Sequence, residues 1–466
     1  MAERHTPHGY WLEEADPVDP TPTLDGDLTA DMVVVGGGYT GMWAAWQAKR
    51  LEPEARVVLL ESRRCAEGPS GRNGGFVNTL WFSLPALRER FGAEAAIAVA
   101  RAAQDAVDGI GRFCAEQGID AWFRPGGYLQ VSTAPAYDDE SAEALAACRE
   151  LGEPGACEAL SADQVRARCA SPIFRGGAFY PGAATVQPAR LARGLLRSLR
   201  SSGVEVFERS AVRRLRRRAD GAVAQTGAGS VRARAAVLAV GGRAATLAPL
   251  RRRLTLTSSH MVITEPVPDV LAELRWTGGE CITDSRHLLH YFRTTPDGRI
   301  AFGWGGGRVL FGSRLGGRAE LDARIVGEVE RHLRRFFPQL EGRRVAHGWG
   351  GPIDVSPTHL PMVGSVAGGP VHYAVGYTGN GVGPSYMIGR ILASLALDRR
   401  DEHSRLGIVD PPAVKVPPEP FRFLGGAVVR SAMVRRERTF EEGGRPGPIS
   451  SFVASIPERI GIHVGR

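Results

Sequence analysis

Apolar positions along the chain fall into two kinds of pattern. Asp31-Met32-Val33-Val34-Val35 is an unbroken apolar run that ends in glycines. A strand without polar alternation suits a parallel sheet covered on both faces. Thr40 to Arg50 carries helix formers, and Arg56 to Leu60 predicts a second buried strand, so a βαβ unit opens the fold. A long Ala-rich helical pattern, Ala93 to Glu116, interrupts this alternation, and Trp122 to Val131 predicts strand, turn, strand. The helix Leu191–Arg200 and the strands Val204–Phe207 and Val231–Val240 follow. From 257 to 341 the pattern changes to aromatic-rich strands, Leu288–Arg293 and Arg299–Trp304, closed by a basic helix from Glu320 to Phe337. Strand Val371–Val375 then runs through a glycine turn into a helix, Ser385–Leu397. Residues 1–27 read as an extended arm anchored by Tyr10-Trp11-Leu12. Residues 411–466 form a C-terminal extension whose helix, Leu424 to Phe440, has a narrow stripe of Ala and Val. That stripe favours packing on the body or a second subunit over a membrane surface.

Composition narrows the class. With 466 residues and 43% hydrophobic content the chain can bury a full core, and two domains are expected. No run approaches the roughly 18 apolar residues of a membrane span, and no apolar segment follows the charges at the N-terminus, so a cytoplasmic protein is expected. The six cysteines have no metal-ligand spacing and read as buried thiols, with no metal site. The net charge of +8 is nearly all arginine, since lysine occurs only at Lys49 and Lys415. The densest cluster, Arg213 to Arg218, lacks interleaved aromatics and reads as a solvated face, with no nucleic-acid partner.

Three glycine segments carry the chemistry. In Gly36-Gly37-Gly38-Tyr39-Thr40-Gly41, Gly36 permits a tight turn and Gly38 lets the main chain approach a pyrophosphate. Gly41 lets the helix pack on the strand, and Tyr39 and Thr40 open that helix at its positive end. Glu61, with Ser62, closes the second strand, where an acidic residue binds ribose hydroxyls. The second segment is Ser70-Gly71-Arg72-Asn73-Gly74-Gly75. Ser70 and Arg72 suit phosphate oxygens, and Gly74 and Gly75 let a flat ring lie on the main chain beside Asn73. The third runs from Gly376 through Tyr377, Thr378, Gly379, Asn380 and Gly381 to Val382 and Gly383, where a helix N-terminus can stabilise electron density on a reduced ring.

Together these segments resemble the D-amino-acid-oxidase-like superfamily of FAD oxidoreductases. Within it they resemble the γ-glutamylputrescine oxidoreductase and glycine/sarcosine oxidase branch, supported by Tyr10-Trp11, Trp349 to Asp354 and Leu360 to Gly364. The resemblance implies an α/β fold: a Rossmann-like FAD-binding domain of glutathione-reductase type with an inserted antiparallel-sheet substrate domain. On this basis residues 28–84, 178–256 and 342–410 build the FAD domain, and 85–177 and 257–341 the substrate domain. It also implies that Val212 contacts the adenine side through its backbone, with Gly241 and Gly350 completing the cofactor contacts. The implied chemistry is hydride removal from a carbon bearing an amine, giving an imine that water hydrolyses.

Departures from the family refine the expectation. No cysteine follows Cys281, so the FAD is expected to be noncovalent. Gly351-Pro352 stands where amino-acid oxidases carry a carboxylate-binding arginine, which disfavours simple α-amino acids unless Arg293 supplies the charge. Neither lysine is placed to promote reaction with oxygen, so either an arginine or histidine takes over that role with O2 as acceptor, or reoxidation by oxygen is slow and another electron acceptor serves. Tyr291 and Arg293 share one face of a strand, as candidates to orient an amine and to bind an anionic tail. His260 and Trp349 are further candidates in the pocket, ahead of Asp284 and His287. The expected partners are a small amine and an electron acceptor, in a monomer or homodimer. A tailoring enzyme with a larger substrate and a tRNA-modifying flavoprotein are the alternatives.

Overall fold

The computed structural model describes residues 4–463. Two large sheets organise the chain. The first has eight strands and contains the opening βαβ unit. Gly26–Val35 pairs in parallel with Val57–Leu60 on one side and Gly229–Leu238 on the other, and Glu205–Phe207 and Val371–Val375 extend the parallel core. Val34, Val57 and Leu59 face a cluster built with helices Tyr39–Leu51, Ala93–Glu116 and Val382–Ala396. Val33, Val58 and Leu60 face a second cluster on the opposite side. Burial on both faces is why these strands show no polar alternation.

The second sheet has nine strands, with Thr255–Thr264, Ile300–Trp304 and His290–Thr294 at its centre. It is mixed and not purely antiparallel: Cys281–Asp284 runs parallel to Tyr128–Val131, and Arg4–His5 parallel to Val345–Val355. Its outer face packs on helix Ala323–Phe336 through Phe292, Phe302, Phe336 and Phe337. Tyr291 and Arg293 project from the inner face, toward the first sheet's loops.

Several elements differ from expectation for identifiable reasons. The arm is not simply extended, because Tyr10–Glu14 is helical and buries Tyr10, Trp11 and Leu12. Gln187 holds this turn by donating to the Trp11 carbonyl at 2.8 Å. Only Tyr128–Val131 of the 122–131 segment is a strand, since Trp122 sits at φ 51° and Arg124 makes an isolated bridge to Thr185. The last helix of the first layer starts at Val382, because Pro384 fits a first turn that has no intrahelical N–H partner. Helix Ala93–Glu116 packs on the first sheet's helices, with Phe113 edge-on to Trp43 and Trp46. Val345–Val355 lies in the second sheet. Helix Ala93–Glu116 thus lies with the first sheet and Val345–Val355 with the second, while Tyr128–Val131 and Glu158–Leu160 join the second sheet as expected. No helix among the described residues is long and apolar enough to cross a membrane, and all six cysteines are buried and free.

Candidate active site

The glycine turn after Val35 is built by steric necessity. Gly36 has φ 115°, and a Cβ there would lie 2.2 Å from the Ala239 carbonyl oxygen. A Cβ on Gly41 would lie 2.0 Å from the Gly36 carbonyl oxygen, so the helix can approach the strand only without one. The Glu61 carboxylate accepts the Gly37 N–H at 2.8 Å and a bond from the Ser62 hydroxyl at 2.9 Å. Ser210 donates its N–H to the Glu61 carbonyl at 2.7 Å, which carries the chain past Val212 beside this corner. Gly241 follows the strand whose end touches Gly36, and a Cβ there meets nothing within 4 Å.

The Ser70–Gly75 loop lies across the same helix N-terminus, although its side chains do other work than expected. Ser70 accepts the Tyr39 N–H at 2.9 Å, tying the loop to the first helical turn. Asn73 accepts the Gly75 N–H at 2.7 Å and donates to the Pro69 and Ser70 carbonyls, so it shapes the loop from within. Arg72, expected at phosphate oxygens, is turned to the N-terminal arm. Its buried guanidinium donates to the Pro7 carbonyl at 2.7 Å and pairs with Glu320 at 3.5 Å, clamping the N-terminal arm.

Behind this loop sit the residues expected in the substrate pocket. Tyr291 packs on Gly74, where a Cβ would lie 3.0 Å from its ring, and its hydroxyl bonds Ser259 at 2.8 Å. Burial pushes this phenol up to about 12, so it stays neutral. Arg293 does not present a free cation. It is fully buried, and Nη1 donates to the Val186 carbonyl and, at 3.2 Å, to that of Gly75. Its Nε donates to the Thr294 carbonyl at 3.2 Å, and burial lowers its pKa to about 10. It is a strut beneath the Gly74–Gly75 loop. Trp349 is core: it is fully buried, edge-on to Trp11, and donates to the Arg72 carbonyl at 2.8 Å. His260 is buried behind the sheet, accepts the Asp322 N–H at 3.1 Å and is lowered by burial to about 4. Gly350 pairs with His260, whose ring a Cβ would strike at 2.4 Å, so this glycine serves sheet packing. Its neighbour Gly351 is the open position, with nothing within 4 Å of a Cβ. Asp284 and His287 lie elsewhere, the first bonded to His290 at 2.7 Å and the second to Arg436 at 3.2 Å.

The third segment closes the arrangement. Gly376, Thr378 and Gly379 all have positive φ, which turns successive amides to one side. The Asp354 carboxylate accepts the Gly376 N–H at 2.7 Å, and burial raises its pKa to about 6. Thr378 accepts the Ser356 N–H at 3.1 Å, and the helix starts just beyond, at Val382. Two residues absent from the expected set connect the segments. The Tyr377 hydroxyl bonds that of Thr40 at 2.7 Å, and buried Asn78 donates to Asn380 at 3.3 Å. Tyr377 was visible inside the turn; Asn78 carries no sequence signal.

Three backbone-lined segments thus come together: two helix N-termini joined by the Thr40–Tyr377 bond, the Glu61 carboxylate at the first glycine turn, and open glycines at 241 and 351. Such surfaces, in which a Cβ would occupy the open space, fit an extended dinucleotide with a flat ring. The family model for FAD-dependent oxidoreductases, DAO, matches residues 31–395. The chain belongs to the DAO family of FAD-dependent oxidoreductases. Its cofactor is FAD. Among curated proteins it is 28% identical over 441 residues to the probable oxidoreductase OrdL of Rhizobium meliloti, covering 91% of this chain and 95% of that one. It is also 28% identical over 429 residues to the gamma-glutamylputrescine oxidoreductase of Escherichia coli, covering 90% and 96%. Among solved structures, glycine oxidase from Geobacillus kaustophilus superposes with TM-score 0.66 at 20% identity, covering 80% of this chain and 96% of that one. Iminodiacetate oxidase from Chelativorans gives 0.63 at 19%, covering 82% and 100%. The structural likenesses show that the fold is that of DAO-family flavoenzymes.

Proposed function

We propose that this chain oxidises a C–N bond of a small amine, using noncovalently held FAD, and passes the electrons to oxygen or another acceptor. The observation that carries the reading is the face beside the cofactor segments, where Tyr291, Arg293 and Gly351 offer a substrate carboxylate no free cation. Tyr291 stays protonated, Arg293 is spent on carbonyls, and Gly351 leaves space where a carboxylate clamp would stand. The gamma-glutamylputrescine oxidoreductase among the curated relatives supports an amine in place of a simple amino acid.

Bound FAD supplies a two-electron acceptor for the hydride. The chain's own residues hold and shape the site. Gly36, Gly38 and Gly41 with Glu61 would hold the nucleotide end, and the Val212 segment would border the adenine side. Gly74, Gly75 and the 376–382 turn would border the ring, with Tyr377 and Thr40 fastening that turn to helix Tyr39–Leu51. Tyr291 orients the neutral amine over that ring. The substrate C–H bond would break with its electron pair leaving as hydride, and the nitrogen lone pair would form an iminium C=N, which becomes the imine on releasing its N–H proton to water. Water then hydrolyses this imine to a carbonyl compound and an amine or ammonia.

The test is anaerobic bleaching of the flavin absorbance against a panel of amines, followed by oxygen. At least one amine should bleach the flavin faster than glycine or alanine does. If no amine bleaches it, the reading fails.

A further inference from the structure

The family match ends at residue 395, and beyond it the chain forms a helical hairpin, Phe421–Glu441 and Pro448–Arg459. This hairpin is seated on the body largely by polar groups. Glu437 accepts the Leu288 N–H at 2.9 Å, and Arg430 donates to the Gly306 carbonyl at 2.9 Å. Arg422 donates to the Leu254 carbonyl at 2.9 Å, and Glu441 pairs with Arg286 and Arg335. The inward apolar contact is modest: Val429, Ala432 and Met433 pack with Leu288 of the body and Ala454 of the second helix, and Phe440 meets Tyr137 edge-on at 5.7 Å.

The large apolar side chains point the other way. Phe421, Leu424 and Val428 share one face of the first helix and are 69%, 56% and 58% exposed. Ile449 and Phe452 on the second helix are 80% and 55% exposed. A groove of about 440 Å³ between the helices, lined by Val428, Ile449 and Val453 together with Arg435, joins the two stripes. Phe311, itself 48% exposed, extends the patch through an edge contact with Phe423 at 5.3 Å. Exposed arginines, Arg435, Arg438, Arg445 and Arg459, stand on the same hairpin. A helix that only packed on the body would carry polar residues outward.

We propose that this hairpin docks the enzyme on the surface of an anionic lipid bilayer. Its aromatic and aliphatic side chains would enter the headgroup–acyl boundary while its arginines meet lipid phosphates. The charge pattern selects this occupant. Exposed Glu442 and Glu458 only partly offset the four exposed arginines, so a two-fold dimer would bring two net-positive patches together. An anionic surface complements such a patch.

Flotation of the holoenzyme with vesicles tests the proposal, using phosphatidylcholine alone and phosphatidylcholine containing phosphatidylglycerol. Binding to the anionic vesicles, weak binding to the neutral ones, and release by high salt are expected. The double variant Arg435→Ala/Arg438→Ala should lower the partition coefficient about tenfold or more. The variant Phe421→Gln/Leu424→Gln/Phe452→Gln should lose binding while keeping its flavin content and amine-driven bleaching. Absence of flotation with anionic vesicles would overturn the proposal, as would equal binding to both lipids. A dimer that the glutamine variant dissociates, without vesicle binding, would assign the face to a second copy instead. Because bleaching is read separately, loss of amine oxidation leaves the lipid result standing, and the converse holds.

Discussion

Replacing Arg293 by methionine should loosen the Gly74–Gly75 loop without selectively weakening acidic amines. The side chain donates to three backbone carbonyls, those of Val186, Gly75 and Thr294. Hydrogen bonds from a charged donor contribute about 1.5–3 kcal/mol each, so the gross loss from three is about 4.5–9 kcal/mol. Against this stands the cost of burying the cation. The fall of its pKa from 12.5 to about 10 corresponds to about 3 kcal/mol, which methionine recovers. Gly75 also keeps one partner, because Val186 donates its N–H to that carbonyl at 2.8 Å. The net destabilisation should therefore be about 2–4 kcal/mol. Urea unfolding followed by flavin fluorescence measures it, alongside flavin content as purified. A pair of amines that differ only by a carboxylate at the far end reads the other possibility. Their KM ratio should change by less than roughly threefold. If the ratio shifts about tenfold with stability and flavin content unchanged, Arg293 binds substrate and the strut reading is wrong.

Gly41→Val should yield protein without FAD, since its Cβ would sit 2.0 Å from the Gly36 carbonyl oxygen; a yellow, fully loaded variant would contradict the close helix–strand contact. Asp354→Asn keeps an acceptor for the Gly376 N–H but removes a carboxyl whose pKa rises from 3.8 to about 6 on folding. A raised folded pKa means that the native protein binds the proton more tightly, so the stabilisation is present below about 4 and lost as pH rises through 6. The stability of the flavin-free variant relative to the parent should thus increase across that window, by at most about 3 kcal/mol, and a flat difference from pH 4 to 7 would refute it. Tyr377→Phe deletes the bond to Thr40 and should weaken FAD binding by about 1 kcal/mol, roughly fivefold in Kd, measured by flavin quenching. Acid precipitation should release yellow flavin into the supernatant; colour retained in the pellet would show a covalent link.

The parallel core and the three glycine segments were legible because each is a local pattern with a steric cause. Gly36 and Gly41 are read from spacing alone, since the turn and the close helix–strand contact require them wherever the rest of the chain lies. Arg72, Arg293 and Trp349 were legible only as residues near the right place. Direction decided their roles: Arg72 turns toward the Pro7 carbonyl, Arg293 toward Val186, and Trp349 toward Trp11. Each partner is remote in sequence, and no periodicity encodes it. Two of the three, Pro7 and Trp11, belong to the N-terminal arm, where the sequence marked Tyr10-Trp11-Leu12 as an anchor but not what it would anchor to.

The C-terminal hairpin shows the same limit with the opposite outcome. Its sequence contains an Ala/Val stripe and a Phe421-Leu424-Val428 stripe, and a helical wheel cannot say which faces the protein. The answer came from the polar side, because Glu437, Arg430 and Glu441 find their partners only when Val429 and Met433 point inward. That orientation forces phenylalanine and leucine into solvent. The fold supplies no other occupant for them among the described residues, so the exposed stripe is better explained as a contact surface than as a packing fault.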